Sequence, residues 1–208
     1  MASTSAELFE AIEAGDDARV GTLLEADPML ASARDASGVS ALMRALYRFD
    51  KPLIGTVRRR VDGLDVFEAA AFGDVDRLTE LLGDEPSLVT SYSGDGFTAL
   101  HFAAFFGRYE AAALLIERCA EVDAFGRGWM TGTAMHSAVS RLQSDVLRSL
   151  LEAGANPNAR QSAGWTPLHA AAMNGDLTSV ELLLASTLVR SQRRAPPRLG
   201  RRRHRHER

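Results

Sequence analysis

Gly164-Trp165-Thr166-Pro167-Leu168-His169-Ala170-Ala171-Ala172-Met173-Asn174-Gly175 is the stretch that decides the fold, because its central phrase recurs. Thr98-Ala99-Leu100-His101 and Thr133-Ala134-Met135-His136 repeat Thr166-Pro167-Leu168-His169, and Ser40-Ala41-Leu42-Met43 is a degraded copy. The steps from Thr98 to Thr133 and from Thr133 to Thr166 are 35 and 33 residues. That is the period of one helix-turn-helix unit repeated and stacked. Thr or Ser at the start of the phrase is a helix N-cap, its side-chain oxygen accepting from an orphan backbone N–H, and Pro167 sits where its missing N–H costs nothing. Paired alanines such as Ala103-Ala104 and Ala171-Ala172 keep a first helix thin. The glycine that follows, Gly107 or Gly175, can take the left-handed conformation that ends a helix. Phe49 and Leu142 occupy that glycine position in two other units, where irregular turns are expected.

The grammar around the phrase resembles that of the ankyrin repeat family. Gly-x-Thr-Pro-Leu-His opens the unit, Ala-Ala-x-x-Gly closes the first helix, and Leu-Leu-x-x-Gly-Ala-x-x-Asn closes the second, most clearly at Leu150-Leu151-Glu152-Ala153-Gly154-Ala155-Asn156-Pro157-Asn158. Two more units lack the phrase but keep the frame: Phe9-Glu10-Ala11 with Gly15, and Phe67-Glu68-Ala69-Ala70 with Gly73. A shift of 58 relates them, pairing Arg19 with Arg77, Pro28 with Pro86 and Gly38 with Gly96, as a duplicated pair of repeats would. The resemblance implies an all-α ankyrin-repeat solenoid of about six helix-turn-helix units joined by β-hairpin-like loops. Units begin near residues 6, 40, 64, 98, 133 and 166, the second being short. The repeat domain covers 6–185, with a disordered N-terminus at 1–5 and a disordered basic tail at 186–208.

Composition suits a stacked-helix protein: 46% hydrophobic and 25% charged residues are ordinary for a globular chain. The longest apolar run, Ala111 to Ile116, is far short of the roughly 20 residues that span a bilayer, so no membrane partner is expected. Met1-Ala2-Ser3-Thr4-Ser5 lacks the basic start and apolar stretch of a secretory signal. The single cysteine, Cys119, has no partner for an internal disulfide and is consistent with the cytoplasm. Lys51 is the only lysine among 24 basic residues, a bias that suggests a GC-rich, bacterial source. Residues 186–208 hold nine arginines and one acid, a charge of +8, so the net −3 leaves −11 on residues 1–185.

The sequence carries little catalytic apparatus. It lacks a phosphate-binding Gly-x-x-x-x-Gly-Lys loop, a Gly-x-Ser-x-Gly elbow, a His-Glu-x-x-His helix and a Cys-x-x-Cys pair. Gly94-Asp95-Gly96-Phe97-Thr98-Ala99 meets the loose dinucleotide pattern, but a poor strand precedes it and Asp95 would face pyrophosphate oxygens. The remaining polar candidates, Asp35, Asp95, Asp123, Arg127 and Arg160, are scattered over hairpins. His101, His136 and His169 recur one helix-packing distance apart, on the order of 8–10 Å, too far for ligands that must lie about 2.0–2.1 Å from one ion. The family resemblance gives these histidines a structural role, bonding turn backbone or the Thr hydroxyl. No enzyme, cofactor, metal or small-molecule substrate is expected.

Function then falls to the exposed surface. The resemblance implies that hairpin tips and first helices line a concave groove that contacts a protein partner. Carried over position by position, that surface includes Phe97, Trp165, Phe105, Phe106, Phe72, Tyr47, Met173 and Trp129. Trp129 lies in a fifth-unit turn that is out of register with the others. Large apolar groups facing solvent mark interaction sites or pack on one another. The Arg-rich tail stands open to three readings: a grip on nucleic acid or another polyanion, a solvated or self-docking extension, or adventitious sequence from a shifted reading frame.

Overall fold

The computed structural model describes residues 4–128 and 131–194; Trp129 and the tail from residue 195 lie outside the described residues. Six helix pairs follow one another: α1 (Ser5–Ala14) with α2 (Asp17–Ala26), α3 (Ala41–Tyr47) with α4 (Lys51–Arg58), α5 (Val66–Phe72) with α6 (Val75–Asp84), α7 (Ala99–Phe105) with α8 (Tyr109–Glu117), α9 (Ala134–Ser140) with α10 (Ser144–Glu152), and α11 (Pro167–Met173) with α12 (Leu177–Arg194). The six first helices begin after the N-caps Thr4, Ser40, Asp65, Thr98, Thr133 and Thr166. The last helix runs unbroken to Arg194.

Why these residues form helices is visible at their ends. In α7, α9 and α11 the Thr at the cap and the His three residues on form reciprocal capping boxes; Thr4 with Glu7 and Asp65 with Glu68 do the same for α1 and α5. Each box satisfies two backbone donors that would otherwise be orphaned. At the other end Gly15, Gly73, Gly107 and Gly175 sit at φ of 73°, 78°, 68° and 66°. Phe49 and Leu142, at the equivalent positions, adopt the same left-handed backbone at 56° and 61°. The irregular turns expected there are therefore absent, and the helix ends keep the glycine geometry with side chains that disfavour it, a strain of about 1 kcal/mol or more each. Cys119 is a third such residue, at φ 67°.

The core is a single apolar band running along the stack. Fully buried alanines at 69–71, 103–104 and 138 let first helices approach closely, while Leu24, Leu53, Leu78, Leu115, Leu147, Leu150 and Leu183 fill the layer between them and the second helices. Between units, short fingers project from the starts of the first helices at residues 33–40, 91–98, 124–128 with 131–133, and 159–166. Each is closed by a tight turn: the Asp35 N–H donates to Val39 C=O (2.9 Å), Ser93 N–H to Phe97 C=O (2.9 Å) and Gln161 N–H to Trp165 C=O (3.0 Å). The fifth unit's finger is longer, its closing bond running from Gly126 N–H to Gly132 C=O (2.9 Å). That insertion explains its lost register.

The second unit's shortness has a structural outcome. Only residues 59–65 separate α4 from α5, leaving no room for a finger, and α3 touches α5 less than any other neighbouring first helices touch. Polar links hold that junction instead: the Arg34 guanidinium meets the Asp65 carboxylate at 2.8 Å, and the Ser40 hydroxyl donates to Glu68 Oε1 at 2.5 Å. With no finger between them, the second and fourth units' fingers close on each other. A Cβ on Gly94 would lie 2.0 Å from the Ser37 carbonyl oxygen, and one on Gly128 would lie 2.1 Å from that of Asp95. Only glycine permits this nesting. The Arg127 N–H to Gly96 C=O bond (2.8 Å) fastens the fourth finger to the fifth. The loose dinucleotide pattern over 94–99 is thereby accounted for as finger structure.

Candidate functional site

Closure of the second finger on the fourth leaves a groove of about 790 Å³ on the finger side of the stack. Its floor and walls come from Arg44, Tyr47 and Phe49 at the end of α3, Phe105 at the end of α7, and Tyr92 with Asp95 on the fourth finger; Arg127 stands at the fifth finger's tip. Tyr47 and Phe105 were expected on the partner-facing surface, and the fold brings them to one place. Phe106 packs edge-on against Phe105, with ring centres 5.1 Å apart. Sequence reasoning missed Phe49, which sits 6.1 Å from Phe105 and 5.8 Å from Phe106 and so joins units two and four directly. The signal was its place at a glycine position: a large residue held left-handed there had to be compensated elsewhere.

The polar groups of the groove are mostly engaged with one another. The Tyr47 hydroxyl donates to Asp95 Oδ2, and the Ser93 hydroxyl donates to Asp95 Oδ1 at 2.6 Å. Burial, with the Asp95 carboxylate beside it, pushes the Tyr47 phenol far above its usual range, so it remains a donor. Arg44 pairs with Asp35, its Nε donating at 2.6 Å. Burial works to raise the Asp35 carboxyl, but bonds from Arg44 and from the Val39 and Ser37 N–H groups outweigh it and hold it below its ordinary value. Two arginines lie over three of the aromatic rings. The Arg127 guanidinium carbon lies 3.7 Å from the Tyr92 ring centre, and that of Arg141 lies 4.3 Å from Phe49 and 5.4 Å from Phe105.

Other expected contact residues are dispersed. Phe97 is a correction: rather than standing on the rim it is 7% exposed, packed against the rings of Phe102 and His101 at 6.0 and 5.6 Å. Its position between the finger glycine and the capping Thr points inward here, as Val39 does. Phe72 is half-buried with the Arg58 guanidinium 6.0 Å from its ring centre, away from the groove. Trp165 and Met173 belong to the sixth unit, 38% and 70% exposed. Trp129 lies outside the described residues.

The histidines form a bridging ladder. The Thr98 N–H bonds His101 Nδ1 at 3.3 Å, Thr98 Oγ1 lies 2.8 Å from it, and His101 Nε2 reaches the Gly132 carbonyl of the next finger at 3.1 Å. His136 repeats this with Thr133 and the Trp165 carbonyl at 3.2 Å. Both rings are buried, at 2% and 4% exposed, and burial pulls His101 down to about 4 and His136 in the same direction. They are therefore neutral bridges between units. Among the described residues, no group of three or more His, Cys, Asp or Glu side chains is arranged to hold a metal, and no helix is long and apolar enough to cross a membrane.

Comparison with known proteins agrees with this architecture. A family model described as ankyrin repeats (three copies) matches residues 66–161 and 133–193, more than half of the chain. A probable E3 ubiquitin-protein ligase, XBOS31, of Oryza sativa is 35% identical over 137 residues, covering 62% of this chain and 29% of that protein. The ankyrin repeat and SAM domain-containing protein 6 of Mus musculus is 30% identical over 153 residues, 70% of this chain and 17% of its own length. A putative ankyrin repeat protein of Rickettsia felis is 31% identical over 152 residues, 70% of this chain and 65% of its own. The chain thus spans less than a third of the rice and mouse relatives.

Proposed function

The chain belongs to the ankyrin repeat family, and from that premise we propose that it is a non-catalytic interaction module holding a segment of a partner protein in the groove between its second and fourth fingers. One observation carries this reading: Phe49 and Phe105 line a concave space of about 790 Å³ whose floor is already fixed by the Tyr47–Asp95 bond. Aromatic anchors in a rigid, preformed groove are where binding energy concentrates, because little side-chain freedom is lost on docking. The rice relative is named as a ligase, but most of that protein lies outside the match, and the ligase activity does not carry over. Cytoplasmic residence and a bacterial source belong to the same proposal, supported by the lone cysteine, the arginine bias and the Rickettsia felis relative.

The test is selection of a random dodecapeptide library on the full chain, followed by binding of the enriched peptides to Phe105→Ala and Met173→Ala. Loss of roughly tenfold or more in affinity with Phe105→Ala, matching removal of one hot-spot ring, and none with Met173→Ala is expected. Enriched peptides that bind both variants like the parent would overturn the groove assignment.

A further inference from the structure

We infer that the occupant of the groove is an acidic segment of a partner protein, whose carboxylates are taken by the guanidinium edges of Arg127 and Arg141. This deepens, and rests on, the docking reading above.

The groove's own acceptors are already engaged. Asp95 accepts from Tyr47 and Ser93, and Asp35 accepts from Arg44 and from the backbone N–H groups of Ser37 and Val39. Its donors are not. Arg34, Arg44, Arg60 and Arg77 each sit in an ion pair, with Asp65, Asp35, Glu25 and Glu80. Arg127 and Arg141 are exposed, and among the described residues neither meets a carboxylate. This occurs in a chain whose first 185 residues carry −11, where carboxylates are plentiful and Arg127 and Arg141 are nonetheless set apart from them.

Both guanidiniums instead lie over rings that form the groove or border it: Arg127 over Tyr92, Arg141 over Phe49 and Phe105. A guanidinium held over a ring keeps N–H donors that the ring does not use, and these can receive a carboxylate by two parallel bonds. The ring also removes much of the side-chain freedom that an arginine in solvent loses on binding. A basic segment would meet two positive charges against the single Asp95 carboxylate, whose two oxygens already accept from Tyr47 and Ser93, so the local charge selects against it even though the chain as a whole is acidic.

The experiment uses the same dodecapeptide selection on the full chain and on the double variant Arg127→Glu, Arg141→Glu. Both positions are exposed, and circular dichroism checks that the variant stays folded. Peptides enriched on the parent are expected to carry an excess of Asp and Glu next to an apolar residue. Charge reversal should weaken them by on the order of a hundredfold, as loss of two charge-assisted contacts does, and shift a fresh selection towards Lys and Arg. Enriched peptides that lack an acidic excess, or whose affinity is unchanged by the double reversal, overturn the inference. If such peptides are nevertheless lost with Phe105→Ala, the docking groove stands and only its charge preference falls. A selection that enriches nothing sinks both readings.

Discussion

His101 and His169 stand at the same position two units apart, and their surroundings differ almost completely. His101 is 2% exposed and bonds both to its own capping Thr98 and to the carbonyl of the next finger. His169 keeps the local half of that arrangement, with Thr166 Oγ1 at 2.8 Å, but it is exposed, and among the described residues no carbonyl meets its Nε2. Its neighbours follow suit. Ala104 and Leu147 are fully buried in units four and five, whereas Ala172 is exposed and Val180 only half-buried in unit six. The comparison separates what a repeat supplies to itself, a capped helix, from what it obtains from the next one, burial and a bridging acceptor. In a stack of this kind stability resides in interfaces as much as in units.

The largest break in that comparison is His101→Ala. It removes a buried bridge, leaves the Gly132 carbonyl with only the Gly126 N–H and takes from the Thr98 N–H its acceptor, at a cost of about 3 kcal/mol read as a lower urea midpoint. Acid probes the same contrast. An unfolded histidine gains its proton near pH 6.5, but burial holds His101 neutral down to about 4. Between those values the unfolded chain binds more protons, so stability falls as pH drops from about 6.5 towards 4, by about 3 kcal/mol from His101 alone. His136 adds in the same direction. Urea titrations at pH 7 and pH 4.5 should show the loss, and His101→Ala should flatten much of it.

The fingers offer a second pair. Gly94→Ala sets a methyl against the Ser37 carbonyl and should cost about 2 kcal/mol. Gly83→Ala, in α6 with open space around it, should instead gain about 0.5–1 kcal/mol. Equal effects would mean that the second and fourth fingers do not nest in solution. Leu142→Gly relieves a left-handed, solvent-exposed residue and should stabilise by about 1 kcal/mol, seen as a Tm rise of a few degrees. Phe49→Gly relieves the same strain but removes the contacts to Phe105, Phe106 and Arg141, and a net gain there would show those contacts to be idle. His169→Ala loses the bonds to Thr166 but no bridge to another unit, and should cost only about 0.5–1 kcal/mol, well below His101→Ala.

Much of this was legible in the residues. The recurring Thr-x-Leu-His phrase located the helix starts, and the alanine pairs and glycines located the thin helices and their ends, because each acts through bonds to neighbours within a few positions. The candidate site was legible only in part. Tyr47 and Phe105 were expected at the surface and line the groove, but Phe97 turned inward, since side-chain direction at the finger base depends on the packing of the next unit. Phe49 signalled only its unusual backbone, by standing at a glycine position, and the arginines that cover the rings gave no local signal.

What the sequence determined by itself was the repeat: its period, caps, helices and histidine ladder, all set by interactions short in sequence and repeated often enough to be unmistakable. The tertiary structure alone decided that a unit too short to carry a finger would bring the second and fourth fingers together, and so make a groove. That outcome depends on contacts such as Gly38 with Gly94 and Phe49 with Phe105. These are between residues more than fifty positions apart, and no pattern along the chain records them.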